Sequence, residues 1–282
     1  AIGSFIDREQ NIWLASFRGV SKISGMRFAN YRQFHGLLSD ETTAVWELEP
    51  GRMVFGHNDG LTYFDIEDNR FTTLVLSRKD YPPDTFPRVL DIRDGKNGHF
   101  WVAAAELGLA KIFQKKVVRW YGKKEGLTGQ VSSALPDKSG TLWVGTYQGI
   151  FILSGNKFIQ KRPGKDSDKV VVRRLFPGPG NSIYAVTPNK GIYLIKNNEW
   201  KNFTHPTDRN ANSIYALLTD SRGKVWAGTK GGLYTIDEDR LKKSTTDVLE
   251  KQAKAKLEAE KQKLIKEAEE KAREELKRSQ DK

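Results

Sequence analysis

The sequence predicts an all-β fold: a β-propeller with six recognisable four-stranded blades, followed by a long C-terminal α-helix. Three observations carry this expectation. The segment TLWVGTYQGIFIL at residues 141–153 recurs as IWLASFRGV at 12–20 and VWAGTKGGL at 225–233. A glycine followed by an aliphatic residue marks each repeat, at Gly19, Gly60, Gly108, Gly149, Gly191 and Gly232, with separations of 41, 48, 41, 42 and 41 residues. A strand-rich period of roughly 40 residues signals one propeller blade per repeat. From about Thr245 onward glycine, proline and aromatic residues vanish, and the remaining charge-rich stretch reads as helix. The chain therefore divides into a propeller at 1–240 and a charged helix at 241–282.

Within residues 133–162, SSALPDKSG reads as an inner strand ending in a turn, TLWVGTY as the second strand, GIFILS as the third and KFIQKR as the fourth. Asp137 can accept hydrogen bonds from amides ahead of it, and Gly140 supplies the positive φ that closes a tight turn. Asp7, Asp94 and Asp220 repeat the device. Blade two substitutes Glu49, Pro50 and Gly51, and blade five PGPG at 177–180; both still read as turns. Trp13, Trp143 and Trp226 stand six residues before the marker glycine and Trp101 seven, with Val54 and Tyr184 at the matching positions of blades two and five. Rings recurring at one place in every sheet read as packing between blades rather than as ligand contacts. Two positions further on the residue is usually small, as in Ala15, Gly56, Ala103, Gly145 and Gly228, which lets neighbouring blades converge.

The pattern Asp137, Gly140, Trp143, Gly145, Thr146, Gly149, Ile150 recurs at Asp220, Gly223, Trp226, Gly228, Thr229, Gly232, Leu233. It resembles the two-component regulator propeller repeat of bacterial sensor proteins. The connectors FHGLLSDETTAV and EGLTGQVSSA resemble the segments that link those repeats. The resemblance spans residues 1 to about 236 and implies a propeller in a signalling protein, although a fold does not by itself fix an activity.

Blade six reaches its third strand at GGLYTID, and EDRLKKSTTDVLEKQ shows no convincing fourth. Two closures stay open: six blades closing alone, or a seven-bladed ring, common in the resembled family, completed by sequence upstream of Ala1. The second is the expectation, together with the chain being a fragment. In the tail, Thr246 or Asp247 can cap a helix. Glu267 with Lys271, Glu269 with Arg273 and Glu274 with Arg278 form i,i+4 pairs, each contributing about 0.2–0.5 kcal/mol on a helix surface. A thin stripe of Leu257, Leu264, Ile265 and Leu276 fits a solvated helix or a weak coiled coil that would make a homodimer. AEEKAREELKRSQDK resembles the signalling helix that precedes the phosphoacceptor domain of histidine kinases, which implies that any kinase lies beyond Lys282.

The 282 residues carry 47 basic and 35 acidic side chains, a net +12, in scattered clusters such as Lys115 and Lys116 that read as solvated surface rather than a nucleic-acid footprint. No apolar run is long enough for a membrane span. Propeller and helix follow one another with no span between them, so they share one side of a membrane. A helix feeding a kinase directly places that side in the cytoplasm, with a periplasmic sensor region as the alternative.

There is no cysteine, and His35, His57, His99 and His205 are dispersed without carboxylates at metal-ligand spacing. Nucleophile-elbow and phosphate-loop patterns are missing as well, so the chain reads as non-catalytic, without metal or cofactor. Binding is the better expectation. In a propeller the loops joining second and third strands open on one face around the channel. The non-repeating residues there are Phe17 and Arg18; His57, Asn58 and Asp59; Glu106; Tyr147 and Gln148; Asn189 and Lys190; and Lys230. Aromatic faces among polar groups suit a polar small molecule, and the resemblance to glycan-responsive sensors suggests a saccharide. A protein partner, with the propeller as a non-catalytic scaffold, is the rival reading. The connector LSRKDYPPDTFPRV adds a proline-stiffened flap able to reach over the same mouth.

Overall fold

The structure, a computed structural model, describes residues 3–25, 27–82, 85–163, 169–237 and 240–243, together with Lys261. It contains six four-stranded antiparallel sheets, each built from consecutive strands. Blade one comprises β1 (Gly3–Ile6), β2 (Ile12–Ser16), β3 (Gly19–Ser24) and β4 (Arg27–Tyr31); blade two β5 (Ala44–Glu49), β6 (Arg52–Gly56), β7 (Gly60–Asp65) and β8 (Arg70–Val75). Blade three holds β9 (Val89–Asp94), β10 (Phe100–Ala104), β11 (Gly108–Phe113) and β12 (Lys116–Tyr121); blade four β13 (Val131–Pro136), β14 (Leu142–Thr146), β15 (Gly149–Ser154) and β16 (Lys157–Lys161). Blade five has β17 (Arg174–Pro177), β18 (Ile183–Val186), β19 (Ile192–Lys196) and β20 (Glu199–Phe203); blade six β21 (Ile214–Thr219), β22 (Val225–Thr229), β23 (Gly232–Asp237) and β24 (Arg240–Lys243).

Blade six thus has the fourth strand that the sequence did not reveal: β24 pairs antiparallel with β23, Tyr234 opposite Lys243 and Ile236 opposite Leu241. The segment RLKK offers one apolar residue and no alternation, so its strand character comes from pairing with an existing edge rather than from its own pattern. The last strand also carries the propeller past residue 240 to Lys243. Of the helix expected at 241–282, Leu241–Lys243 are strand and Lys261 is helical, while the homodimer seam of Leu257, Leu264, Ile265 and Leu276 lies outside the described residues.

The marker glycines have a shared physical cause. Gly19 and Gly60 hold φ of +108° and +151°, and a Cβ on either would sit 2.1 Å from a carbonyl oxygen of the fourth strand, that of Tyr31 or Leu74. The third strand can start so close to the fourth only where no side chain intervenes. The turn aspartates do more than close turns. Asp137 accepts the Thr141 amide at 2.9 Å through one oxygen and the Trp143 indole N–H at 2.9 Å through the other. Asp7 with Trp13 (2.7 Å) and Asp220 with Trp226 (2.9 Å) repeat the lock.

Between blades one and two the ring is wedged as expected. Trp13 is fully buried, against Phe55 and Phe64 of blade two at 5.7 and 6.4 Å between centroids. The small residue two positions later is where blades converge: a Cβ on Gly56 would lie 2.5 Å from Val89, and one on Gly145 2.6 Å from Val172. Near the axis, Asp91 accepts Ser133 Oγ at 2.6 Å and the Ala134 amide at 3.2 Å, while Ser133 Oγ accepts the Leu175 amide at 3.1 Å. Blades three, four and five are tied by that chain of bonds.

Blades one and six differ at their outer faces. Alternate strand residues share a face, so Gly228 and Trp226 of β22 lie with their partners Ala216 and Leu218 of β21. Leu218 is 66% exposed, and the nearest atom to a Cβ on Gly228 is in its own blade, Ala216 at 3.9 Å. Blade one turns Ile6, Ile12 and Phe28 outward on the side away from blade two, all three exposed.

Candidate functional site

The antiparallel path puts the loops between second and third strands, and the connectors between blades, at one end of the sheets. The residues expected at this mouth divide by how they are held. Phe17 (70% exposed) and Tyr147 (46%) stand out from the blade-one and blade-four loops, beside exposed Arg18 and Gln148. Both loops are fixed from below by a hydroxyl: Ser16 Oγ accepts the Arg18 amide at 3.2 Å, and Thr146 Oγ1 the Gln148 amide at 3.0 Å. Thr187 and Thr229 do the same for the amides of Lys190 (2.8 Å) and Gly231 (3.0 Å), so Asn189 and Lys230 also sit on braced tips and are exposed. A hydroxyl at the end of the second strand followed by a polar tip is a local device that rigidifies each loop.

Blade two behaves differently. The ring of His57 is fully buried, with Nδ1 2.9 Å from the Glu41 carbonyl oxygen and Nε2 2.9 Å from Thr62 Oγ1. Burial lowers its pKa, which favours the neutral ring. His57 thus stitches the connector to β7 and does not face the mouth. Asn58 remains near the surface: its Nδ2 donates to Glu41 Oε2 at 2.6 Å, and its Oδ1 accepts Arg88 at 2.9 Å. Arg88 also pairs with Glu41 at 2.7 Å, closing a triangle of carboxylate, amide and guanidinium. Glu106 in blade three accepts Gln130 Nε2 at 2.9 Å across to the next connector. Glu41, Arg88 and Gln130 were missed in the sequence because they lie in the connectors between blades, and their partners Asn58 and Glu106 come from loops whose approach no spacing shows.

The flap does not simply hang over the mouth. Arg78, whose side chain is 8% exposed, donates to the Leu107 carbonyl at 2.7 Å and pairs with Asp80 at 2.8 Å. Its guanidinium lies 4.6 Å from the Tyr81 ring and 5.5 Å from that of Trp120, so the first part of the connector is pinned to the outer side of blade three. Phe86, further along, is 67% exposed. Among the described residues no group of His, Asp and Glu is placed to hold a metal ion.

Comparison with known proteins agrees with this architecture. The two-component regulator propeller family model matches residues 126–148 and 208–231, each a connector or strand pair leading into a braced loop. No curated protein matches the chain significantly. Among solved structures, the extracellular domain of the hybrid two-component system BT4673 from B. thetaiotaomicron is 20% identical with a TM-score of 0.67, over 84% of this chain and 32% of that one. The extracellular domain of BT3049 from the same organism is 18% identical with a TM-score of 0.63, over 84% and 33%. Virginiamycin B lyase from Staphylococcus aureus is 13% identical with a TM-score of 0.68, over 85% and 82%. The chain therefore spans about a third of the two extracellular domains, and it shares its fold with domains of two-component systems and with an enzyme alike. It is a propeller whose repeats are similar to those of two-component regulators. No helix among the described residues is long and apolar enough to cross a membrane.

Proposed function

We propose that this propeller is the sensory input region of a two-component signalling protein, binding a polar small molecule, such as a saccharide, or a partner at the mouth. The observation that carries the reading is the match of two separate blades to the regulator-propeller family, joined to braced loop tips that differ from blade to blade. Rigid bases with variable polar and aromatic tips are how a repeat scaffold presents specificity. Occupancy would reach an output domain, a histidine kinase in this reading, through the chain beyond β24. This requires a ligand with different affinity for two arrangements of the protein. Replacing Arg18, Tyr147 and Lys230 together with alanine should abolish the signalling output of the whole protein while leaving the propeller's Tm unchanged. An intact output would remove the mouth from the mechanism.

The extracellular assignment of the BT4673 and BT3049 domains favours the periplasmic alternative over the cytoplasmic location expected from the tail. None of these 282 residues is cysteine, so a Phe17→Cys variant adds one exposed thiol to the propeller. A membrane-impermeant maleimide should label it in cells whose outer membrane alone is permeabilised. Labelling only after lysis would restore the cytoplasmic location.

The exposed Ile6, Ile12, Phe28 and Leu218 support the second reading, a platform for protein partners.

A further inference from the structure

Blade two breaks the repeat at one place, and a cavity lies beside the break. In blades one, four and six an indole in the second strand reaches a carboxylate six residues earlier. Blade two has Val54 in place of the indole and Leu48 six positions before it. Leu48 lines a cavity of about 570 Å³ between blades two and three, on the face opposite the mouth. The cavity is bounded by the far hairpin ends of both blades: Glu49 and Arg52, Asp65 and Arg70, Asp94 and His99, Phe113 and Lys115. Val54 itself is buried in the core between the two blades, paired across the sheet with Tyr63, which lines the cavity.

The walls describe what else could enter. Tyr63 and Phe100 meet edge to face at 6.3 Å, and His99 stacks on Phe113 at 4.5 Å. The Tyr63 hydroxyl is buried without a hydrogen-bond partner among the described residues. Burial raises its pKa, keeping it a neutral donor. Such an orphaned hydroxyl carries an uncompensated desolvation cost that a ligand's polar atom would relieve. Three cations and three carboxylates line the cavity, and Arg52 pairs with Glu49 at 3.0 Å and Asp65 at 3.6 Å, so the lining has no net charge to attract an ion. At its edge Asp94 already accepts an indole N–H, from Trp46 at 2.7 Å. The volume falls in the small-molecule range of roughly 300–1,000 Å³.

We infer that the cleft between blades two and three binds a small, uncharged, planar aromatic molecule with a hydrogen-bonding edge, which takes the place that the repeat elsewhere gives to its own tryptophan. The site is independent of the mouth and lies on the other face.

Indole itself is the probe, followed by ligand-observed NMR and calorimetry on the whole chain. The unmodified protein should show saturable one-site binding. Tyr63→Phe should weaken it about fivefold, the loss of one hydrogen bond, with Tm unchanged or raised because the orphaned hydroxyl is gone. Val54→Trp should direct an indole toward Leu48 and abolish binding. The alanine variant of Arg18, Tyr147 and Lys230 should bind indole normally, which separates this site from the sensing surface. Absence of saturable binding to the unmodified protein overturns the inference, as does an unaltered affinity in Tyr63→Phe. That variant decides the matter even if Val54→Trp fails to fold.

Discussion

Blades four and six carry the same repeat at its key positions, yet among the described residues only blade four has a neighbour packed against its small residue. Asp137, Trp143, Gly145 and Thr146 correspond to Asp220, Trp226, Gly228 and Thr229, and the indole-to-carboxylate bond is 2.9 Å in both. A Cβ on Gly145 would collide with Val172, in the connector to blade five, at 2.6 Å, while among the described residues one on Gly228 would reach nothing outside its own blade. The repeat motif therefore specifies a blade and its internal lock. It leaves open what stands opposite. Small residues at this position allow close approach, but the approach is realised only where a neighbour supplies a branched side chain such as Val89 or Val172.

The largest test of this difference is a pair of identical substitutions. Gly145→Val should destabilise the protein by about 1–3 kcal/mol, the usual cost of forcing extra methyl groups into a filled junction. Gly228→Val should stay within about 0.5 kcal/mol, as for an open surface site, and valine's preference for strands pulls it toward stabilisation. Denaturant melts of the two variants measure both. Equal losses would show that the face of blade six is covered in solution, and the contrast between the blades would then be void.

The same contrast explains what could be read in the sequence. The marker glycines were legible because their constraint is local, a third strand starting against the carbonyl of the fourth, as at Gly19 and Tyr31. The turn aspartates were legible by half: the bonds to amides follow from the turn, but the second oxygen of Asp7 or Asp137 meets an indole whose direction no spacing rule fixes. Strand β24 was hidden because a short, lysine-rich edge becomes a strand only by pairing. His57 occupies the loop position expected of a mouth residue, but its partners, the Glu41 carbonyl and Thr62, come from a connector and another strand. The cleft beside Val54 was illegible for a deeper reason. It follows from a side chain that is missing, and it has a shape only once blade three is in place.

A smaller effect sharpens the comparison by separating the lock from the packing. The Asp220 carboxyl is held below its ordinary pKa of 3.8, chiefly by the Trp226 N–H, with the Lys224 and Arg222 amides adding to it. Asp137 is also lowered: burial opposes its ionisation, but the bonds from Ser139, Trp143 and Thr141 outweigh that. With a folded pKa below the unfolded one, each contributes stability in full above the ordinary aspartate range and loses it as pH falls through the folded value. Asp7, Asp40, Asp80 and Asp208 share the direction and add to the same acid loss. His57 is lowered by burial from an ordinary value of 6.5, so its contribution starts to fade first, below about pH 6.5. Thermal melts from pH 7 to 3 should therefore show a shallow decline that His57→Gln removes, then a steeper one below about pH 5. If blades four and six share a lock and differ only in packing, Asp137→Asn and Asp220→Asn should flatten the steep phase by similar amounts, although their Tm values at neutral pH differ. Flattening by Asp137→Asn alone would mean that the lock itself depends on the neighbouring blade.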